Sequence, residues 1–362
     1  MTVSVLAVLA LTASASWLLP VLNQPTVAFG VRVPTARSGS QVIADECQRY
    51  RRQVAVAAGV AALAAVLLVV TGWSWPAPAA MVLLLAVTAQ AYVRAHRAVA
   101  AAKRDQGWYH GLSQVTVVDT TLRTRPEPFP WRWAAPAVLI IAATATIGVI
   151  LYPLMPATLT MHVDAFGAPD RQVPRSVLAA FSPVAVQILL TGLLLSLTRA
   201  GFGSRADLDP ADPIGAGARH RRFITGFARR LLLLAAGMDA ALAATAWWMW
   251  TDAPSGAVMA VVVAVIATGV VPVVVYAVQV GPGGSRLAAG QPEATGPSHR
   301  DDDTHWRLGL IYVNPEDPAV MVPQRVGVGW TLNLGRPLSW LVLAILMAGP
   351  ASVATLLVLI PR

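Results

Sequence analysis

Apolar residues in this chain come in long unbroken runs, not at the period of two or of three to four that marks half-buried strands and surface helices. A helix crossing the hydrocarbon core needs about 20 mostly apolar residues. Eight stretches fit: Val3–Val21, Val54–Gly72, Pro78–Val93, Ala134–Tyr152, Val177–Thr198, Leu231–Trp250, Ala257–Gln279 and Leu338–Ile360. They predict an all-α polytopic membrane protein of about eight transmembrane helices. Trp73–Ala77 and Thr251–Gly256 are tight turns, and the remaining connections are longer.

Composition agrees. Of 362 residues 56% are hydrophobic and 12% charged, about half the roughly 25% charge of soluble domains. A water-soluble globule is excluded, and so is a disordered chain, which needs low hydrophobicity. A single cysteine, Cys47, excludes a disulfide scaffold and a Cys-based zinc cage.

The net charge of +9 comes from 26 arginines and one lysine against 18 acids. Position decides what it means. Four alternate connections, Leu22–Gln53, Arg94–Trp133, Arg199–Arg230 and Val280–Pro337, hold 24 of the 27 basic residues; Arg171, Arg175 and Arg362 fall on the other side. Basic residues accumulate in cytoplasmic loops, so these four are expected inside and both chain ends outside. Topology thus explains the basic excess without nucleic acid as a direct partner. Ala13-Ser14-Ala15 has the look of a signal-peptidase site, but no positive region precedes it. The first run is read as a retained helix. Heavy use of Arg, Ala and Val with one Lys suggests a GC-rich bacterial genome, hence a bacterial plasma (inner) membrane.

Catalytic signatures are absent: the sequence has no His-Glu-x-x-His, no Walker A loop and no Gly-x-Ser-x-Gly. Six scattered histidines lack metal-ligand spacing, so neither an enzyme nor a metal or cofactor site is expected. One carboxylate, Asp239, lies inside an apolar run. As the ninth of 20 residues it sits near mid-membrane, about 13 Å from the inner end at 1.5 Å per residue. A charge there costs at least ~2.5 kcal/mol. It marks a proton or ion route, or it is a hydrogen-bonded residue that holds helices together. Gln90, Gln187 and Ser or Thr hydroxyls are its candidate partners. Pro183, Pro272 and Pro350 lie inside runs and each removes a helix hydrogen bond.

The connection Pro153–Ser176 carries Pro156, His162, Asp164, Phe166-Gly167, Pro169-Asp170 and Arg171. Turn-forming Gly167 and Pro169-Asp170 leave two readings: a self-bonded loop over a helix pair, or a ligand site built on His162, Asp164 and Asp170. The pattern resembles the extracytoplasmic loop of SdpI-type membrane proteins, in which a proline, a histidine and Gly-x-x-Asp recur. Phe29-Gly30-Val31-Arg32-Val33-Pro34 is similar to the Gly-hydrophobic-Arg-x-Pro element of the same group. A second resemblance covers Ile311–Pro337: Tyr312, Asn314-Pro315, Asp317-Pro318, Val322-Pro323, Arg325, Gly327, Gly329, Trp330 and Asn333 look like a short module of unknown function near the C-terminus of some relatives.

The expected organisation is a seven-span bundle over 1–279, a mobile cytoplasmic linker over 280–310, a small cytoplasmic hairpin module over 311–337 and a last helix over 338–362. The SdpI resemblance implies an immunity or signalling receptor that meets a secreted peptide outside and a cytoplasmic regulator inside. On that reading His162, Asp164, Gly167, Asp170 and Arg32 are the ligand or partner residues, and Asn314, Pro315, Asp317, Arg325 and Trp330 belong to the inner module. A secondary transporter built on Asp239 and a structural, envelope-maintaining role are the alternatives. The orientation is testable with an impermeant maleimide on whole cells carrying Cys47→Ala. Ala165→Cys should label, whereas His110→Cys and Ala294→Cys should be protected; the opposite pattern inverts the topology.

Overall fold

The computed structural model describes residues 2–71, 76–163, 169–210, 212–251, 255–287 and 297–359. In chain order the first elements are α1 (Thr2–Leu18), β1 (Val27–Ala28), β2 (Val31–Arg32), α2 (Gln41–Thr71), α3 (Pro76–Asp105), β3 (Gln114–Val115) and the single turn α4 (Thr121–Thr124). Then come α5 (Ala135–Leu151), β4 (Thr158–Val163), β5 (Pro169–Pro174), α6 (Val177–Phe202), α7 (Pro213–Thr251) and α8 (Ser255–Val280). The last are β6 (Ser298–His299), β7 (Trp306–Arg307), β8 (Ile311–Tyr312), β9 (Met321–Pro323), β10 (Trp330–Leu332) and α9 (Pro337–Leu359).

Among the described residues six helices (α2, α3, α5, α6, α7 and α8) are long and apolar enough to cross a membrane, and the apolar segments Val8–Val21 and Pro337–Ala348 are shorter. Several helices outrun their apolar segments. At 39 residues α7 spans roughly 58 Å, nearly twice the ~30 Å hydrocarbon core. Its first turns, like Gln41–Gln53 of α2 and Arg94–Asp105 of α3, are basic connection sequence that is helical. Arg and Lys are good helix formers, so the boundary of an apolar run is not the end of a helix.

Two compact units divide the chain. The first comprises residues 1–127, 204–223 and 277–339; the second comprises 128–203, 224–276 and 340–362. In the first, Ala57, Ala61 and Ala65 recur every fourth residue down one face of α2, buried with Leu9, Ala80 and Leu84. Small side chains at that spacing let helices come close, the usual packing mode where lipid gives no hydrophobic drive between helices. Tyr50 is fully buried and donates from its hydroxyl to the Ser16 carbonyl at 3.1 Å, joining α2 to α1.

Two tight turns of the same design meet in this unit. Between β1 and β2, Phe29 (φ 47°) and Gly30 (φ 77°) are both left-handed, as are Leu308 (φ 52°) and Gly309 (φ 68°) between β7 and β8. Left-handed backbone is costly for a residue with a side chain. Phe29 is held by edge contacts with Tyr50 and Tyr92, ring centroids 5.4 and 6.1 Å away. The turns abut through their glycines: a Cβ on Gly309 would lie 2.3 Å from the Gly30 Cα. The Tyr92 hydroxyl donates to the Leu308 carbonyl at 2.8 Å.

β3 runs parallel to β6, and β9 pairs with β10 in an antiparallel hairpin just before α9. Residues 297–303, within the stretch expected to be a mobile linker, are packed: Ser298 is buried, and Asp301 and Asp303 are tied by hydrogen bonds. In the second unit the connection between α5 and α6 is a β4–β5 antiparallel hairpin, with register shifts between Thr160 and Val163. Its Leu159 and Val173 face each other and are buried with Met155, Ala179, Ala180, Met249 and Trp250.

The glycine contact gives a direct test. Gly309→Ala adds left-handed strain of about 1–3 kcal/mol and a clash with Gly30, so it should lower the melting temperature in detergent. Gly39→Ala, which meets nothing within 4 Å, should leave it unchanged.

Candidate functional site

Charged side chains are rare in this chain, yet the first unit gathers seven of them. Arg32 follows the left-handed turn on β2, and β2's extended backbone aims its side chain inward, 6% exposed. Its Nη2 donates to Asp207 Oδ2 at 3.0 Å, and its Nε lies 3.5 Å from Asp302 Oδ1. Arg325, 3% exposed, enters from the segment between β9 and β10. Its guanidinium bridges Asp302 and Asp303, donates to the Gly30 carbonyl at 2.9 Å and stacks over Trp306, 4.8 Å from the ring centroid. Lys103, the chain's one lysine, comes from the end of α3 and binds Asp301 at 2.7 Å and Asp303 at 2.6 Å. Asp303 is the hub, because it also accepts the Arg32 backbone N–H at 3.0 Å.

Burial alone would penalise every one of these charges; mutual pairing reverses that. Burial raises the carboxyl of Asp207, but Arg32 beside it, with His299 and Arg325, carries it well below the usual range. Asp303 is likewise raised by burial and more strongly lowered by Arg325 and Lys103. Burial would weaken the charge on Arg32, and Asp207 and Asp302 more than restore it. His299, 3.5 Å from Asp207, is pushed down by burial more than that carboxylate lifts it.

Around this core the segment after β8 is built on one amide. Asn333 is fully buried and donates from Nδ2 to the carbonyls of Asn314 (2.8 Å), Asp317 (3.1 Å) and Ala319 (3.1 Å). Its Oδ1 accepts the backbone N–H of Asn314 at 2.9 Å and of Gly335 at 3.1 Å. The Asp317 carboxylate accepts from the Tyr312 hydroxyl at 2.9 Å, from the Ala319 N–H at 3.0 Å and from Arg205 at 2.9 Å. The Asn314 side chain accepts the Glu316 N–H at 3.0 Å, an Asx turn ahead of Pro315.

The residues singled out by sequence fall into four groups. Arg32 and Arg325, 293 positions apart, meet at Asp302. Asn314, Pro315, Asp317 and Trp330 belong to the Asn333 network or to strand β10 beside it. His162 lies on β4 opposite Arg171 of β5, and Asp170 lies on β5; Asp164 and Gly167 lie outside the described residues. The hairpin has a fixed base: Trp250 Nε1 donates to the Ala180 carbonyl at 2.9 Å, and Arg175 donates to the Met155 carbonyl at 2.6 Å. Asp239 on α7 is fully buried, and its Oδ2 accepts from Thr191 on α6 at 2.7 Å. Among the described residues no group of three His, Cys, Asp or Glu side chains could hold a metal ion.

Sequence reading missed Asp207, Lys103 and Asp301–Asp303. The signal available was an Asp-Asp-Asp triplet and a solitary lysine in a chain poor in charge, each a costly choice unless paired. None of these groups pairs a nucleophile with a base; the cluster binds segments of its own chain together and presents carboxylates that keep 27–31% exposure.

The six apolar helices and the mostly helical fold define a multi-pass membrane protein. Residues 315–340 match the model of a family of unknown function (DUF5808). No curated protein and no solved structure matches the chain. The matched segment contains Asp317, Arg325 and Asn333, which bind Arg205, the Gly30 carbonyl and the Asn314 carbonyl outside it.

Arg325→Ala should lower stability by about 2 kcal/mol, less than the 3–5 of a fully buried pair because its carboxylate partners are part exposed. The acid response follows from the lowered carboxyls. Asp207 and Asp303 stabilise the fold above the unfolded value of about 4, and that stability is lost as pH falls through their folded-state values. Melting temperature should therefore drop on acidification below about pH 4, and Asp303→Asn should flatten the drop. A wild-type melting curve flat from pH 6 to pH 3 would contradict this.

Proposed function

We propose that the chain is an SdpI-like receptor of the bacterial inner membrane, crossing it eight times with both ends outside. The β4–β5 hairpin meets a secreted peptide, and the ion-paired unit, which holds residues 315–339 of the matched segment, meets a cytoplasmic regulator. One observation carries the reading. Arg32, Lys103, Asp207, and Asp301–Asp303 with Arg325 come from the four connections that hold 24 of the 27 basic residues, and they interlock in one cluster. Segments that touch share a side of the membrane, and their wealth of basic residues favours the cytoplasm as that side. The hairpin belongs to a connection of the other parity. Its buried base, where Leu159 and Val173 pack with Trp250, suits a platform for peptide recognition.

The test is co-purification of the tagged full chain from its native membrane in mild detergent, followed by mass spectrometry. A secreted peptide should co-purify and be lost with His162→Ala or Asp170→Asn, while a cytoplasmic protein stays bound. That protein should be lost with Asp302→Asn, which leaves the hairpin intact. Recovery of both partners unchanged by these variants, or of neither, would overturn the reading.

A further inference from the structure

Within the second unit, a polar patch is enclosed by apolar helix faces of α5, α6 and α7. Thr144, Gln187, Thr191 and Asp239 are each at most 8% exposed, Gln187 and Asp239 not at all. The same three helices pack Ala137, Ile140, Leu194, Ala235 and Ala236 into an apolar cluster. A donor and acceptor count of the patch does not close. Thr191 spends its hydroxyl proton on Asp239 Oδ2 (2.7 Å), and Thr144 spends its own on the Ile140 carbonyl (2.7 Å). Gln187 Nε2 gives its two protons to the Asp239 carbonyl (2.8 Å) and to Thr144 Oγ1 (3.2 Å). These acceptors also fix which end of the amide is nitrogen, since the reverse would set oxygen against the Asp239 carbonyl. Two acceptors are left without any donor, Asp239 Oδ1 and Gln187 Oε1, and both are buried.

Leaving a buried polar atom unmet costs about 1–3 kcal/mol, more if it is charged. Among the described residues no cation is at hand to compensate. α5 and the described part of α8 carry no Asp, Glu, Lys, Arg or His; α6 offers Arg199, two turns beyond Thr191, and α7 offers Arg229 and Arg230, more than two turns before Asp239. A single added proton changes the count: on Oδ1 it removes the charge and turns one of the two donorless acceptors into a donor.

We propose that Asp239, Gln187 and Thr191 form a proton-binding site inside the helical bundle, with one proton resident on Asp239 Oδ1 and shared with Gln187 Oε1. The proton is the ligand. Gln187 and Thr191 are positioning residues that hold the acid and read its state. Losing the proton sets a carboxylate against an amide oxygen, so α6 and α7 separate at this level or admit water. The site therefore ties helix contact to proton occupancy, a capacity independent of peptide or regulator binding.

Infrared spectroscopy of the full chain in a maltoside detergent, which has no carbonyl of its own, reads the proton directly. At pH 7 the wild-type protein should show the C=O stretch of a protonated carboxylic acid, shifted down in D2O and lost in Asp239→Asn. Gln187→Leu, which removes the acceptor, should move the band to higher frequency without abolishing it. Asn at 239 keeps both a donor and an acceptor, so that variant should fold with unchanged melting temperature. A wild-type spectrum at pH 7 without a protonated-acid band means an ionised Asp239 with water between the oxygens, and would overturn the proposal even if no variant folded. A band that persists unaltered in Asp239→Asn would overturn it as well.

Discussion

Buried cations must be met by anions, and in the first unit that requirement governs the arrangement. Arg32, Lys103 and Arg325 lose most of their hydration where they sit, and each is stable there only because Asp207 and Asp301–Asp303 arrive from other parts of the chain. Removing one member would leave a charge exposed to a low-dielectric surrounding, a larger penalty than the pair itself is worth. The interaction is therefore less a source of net stability than a constraint on which segments sit together. The back-to-back glycine turns and the stacking of Arg325 on Trp306 satisfy the same constraint sterically.

The second unit handles polar groups in the opposite way. Its helices are apolar almost throughout, and Thr144, Gln187, Thr191 and Asp239 gather where polar groups of one helix are answered by another. In a bundle without a hydrophobic drive between helices, such contacts select the packing partner. The β4–β5 hairpin is tied down by the same means, with Trp250 and Arg175 spending their N–H groups on carbonyls at helix ends.

How much could be read in advance divides along physical lines. Apolar runs announce helices because burial in lipid demands length, and all six long apolar helices contain stretches read as spans. Their ends were less legible, since α2 and α7 continue as helix through basic sequence whose composition says only that it is solvated. Short strands such as β4 and β5 leave no run to see; Thr158–Val163 becomes a strand because Leu159 and Val173 find Trp250, a tertiary fact. Arg32 and Arg325 stood out as motif residues, but their meeting depends on Asp302, in a Gly- and Pro-rich stretch that read as a linker. Asn333 was visible only as one residue of a module, and its five hydrogen bonds exist only once the chain has turned around it.

The account rests on residues 297–333 being locked to the turn around Gly30 by charge. Hydrogen exchange followed by mass spectrometry on wild type and Arg32→Gln measures that lock most directly. The account predicts that exchange accelerates together over residues 27–33 and over 303–332, while the β4–β5 hairpin keeps its protection. Faster exchange confined to residues 27–33 would contradict it, because the C-terminal segment would then hold its shape without the ion pairs.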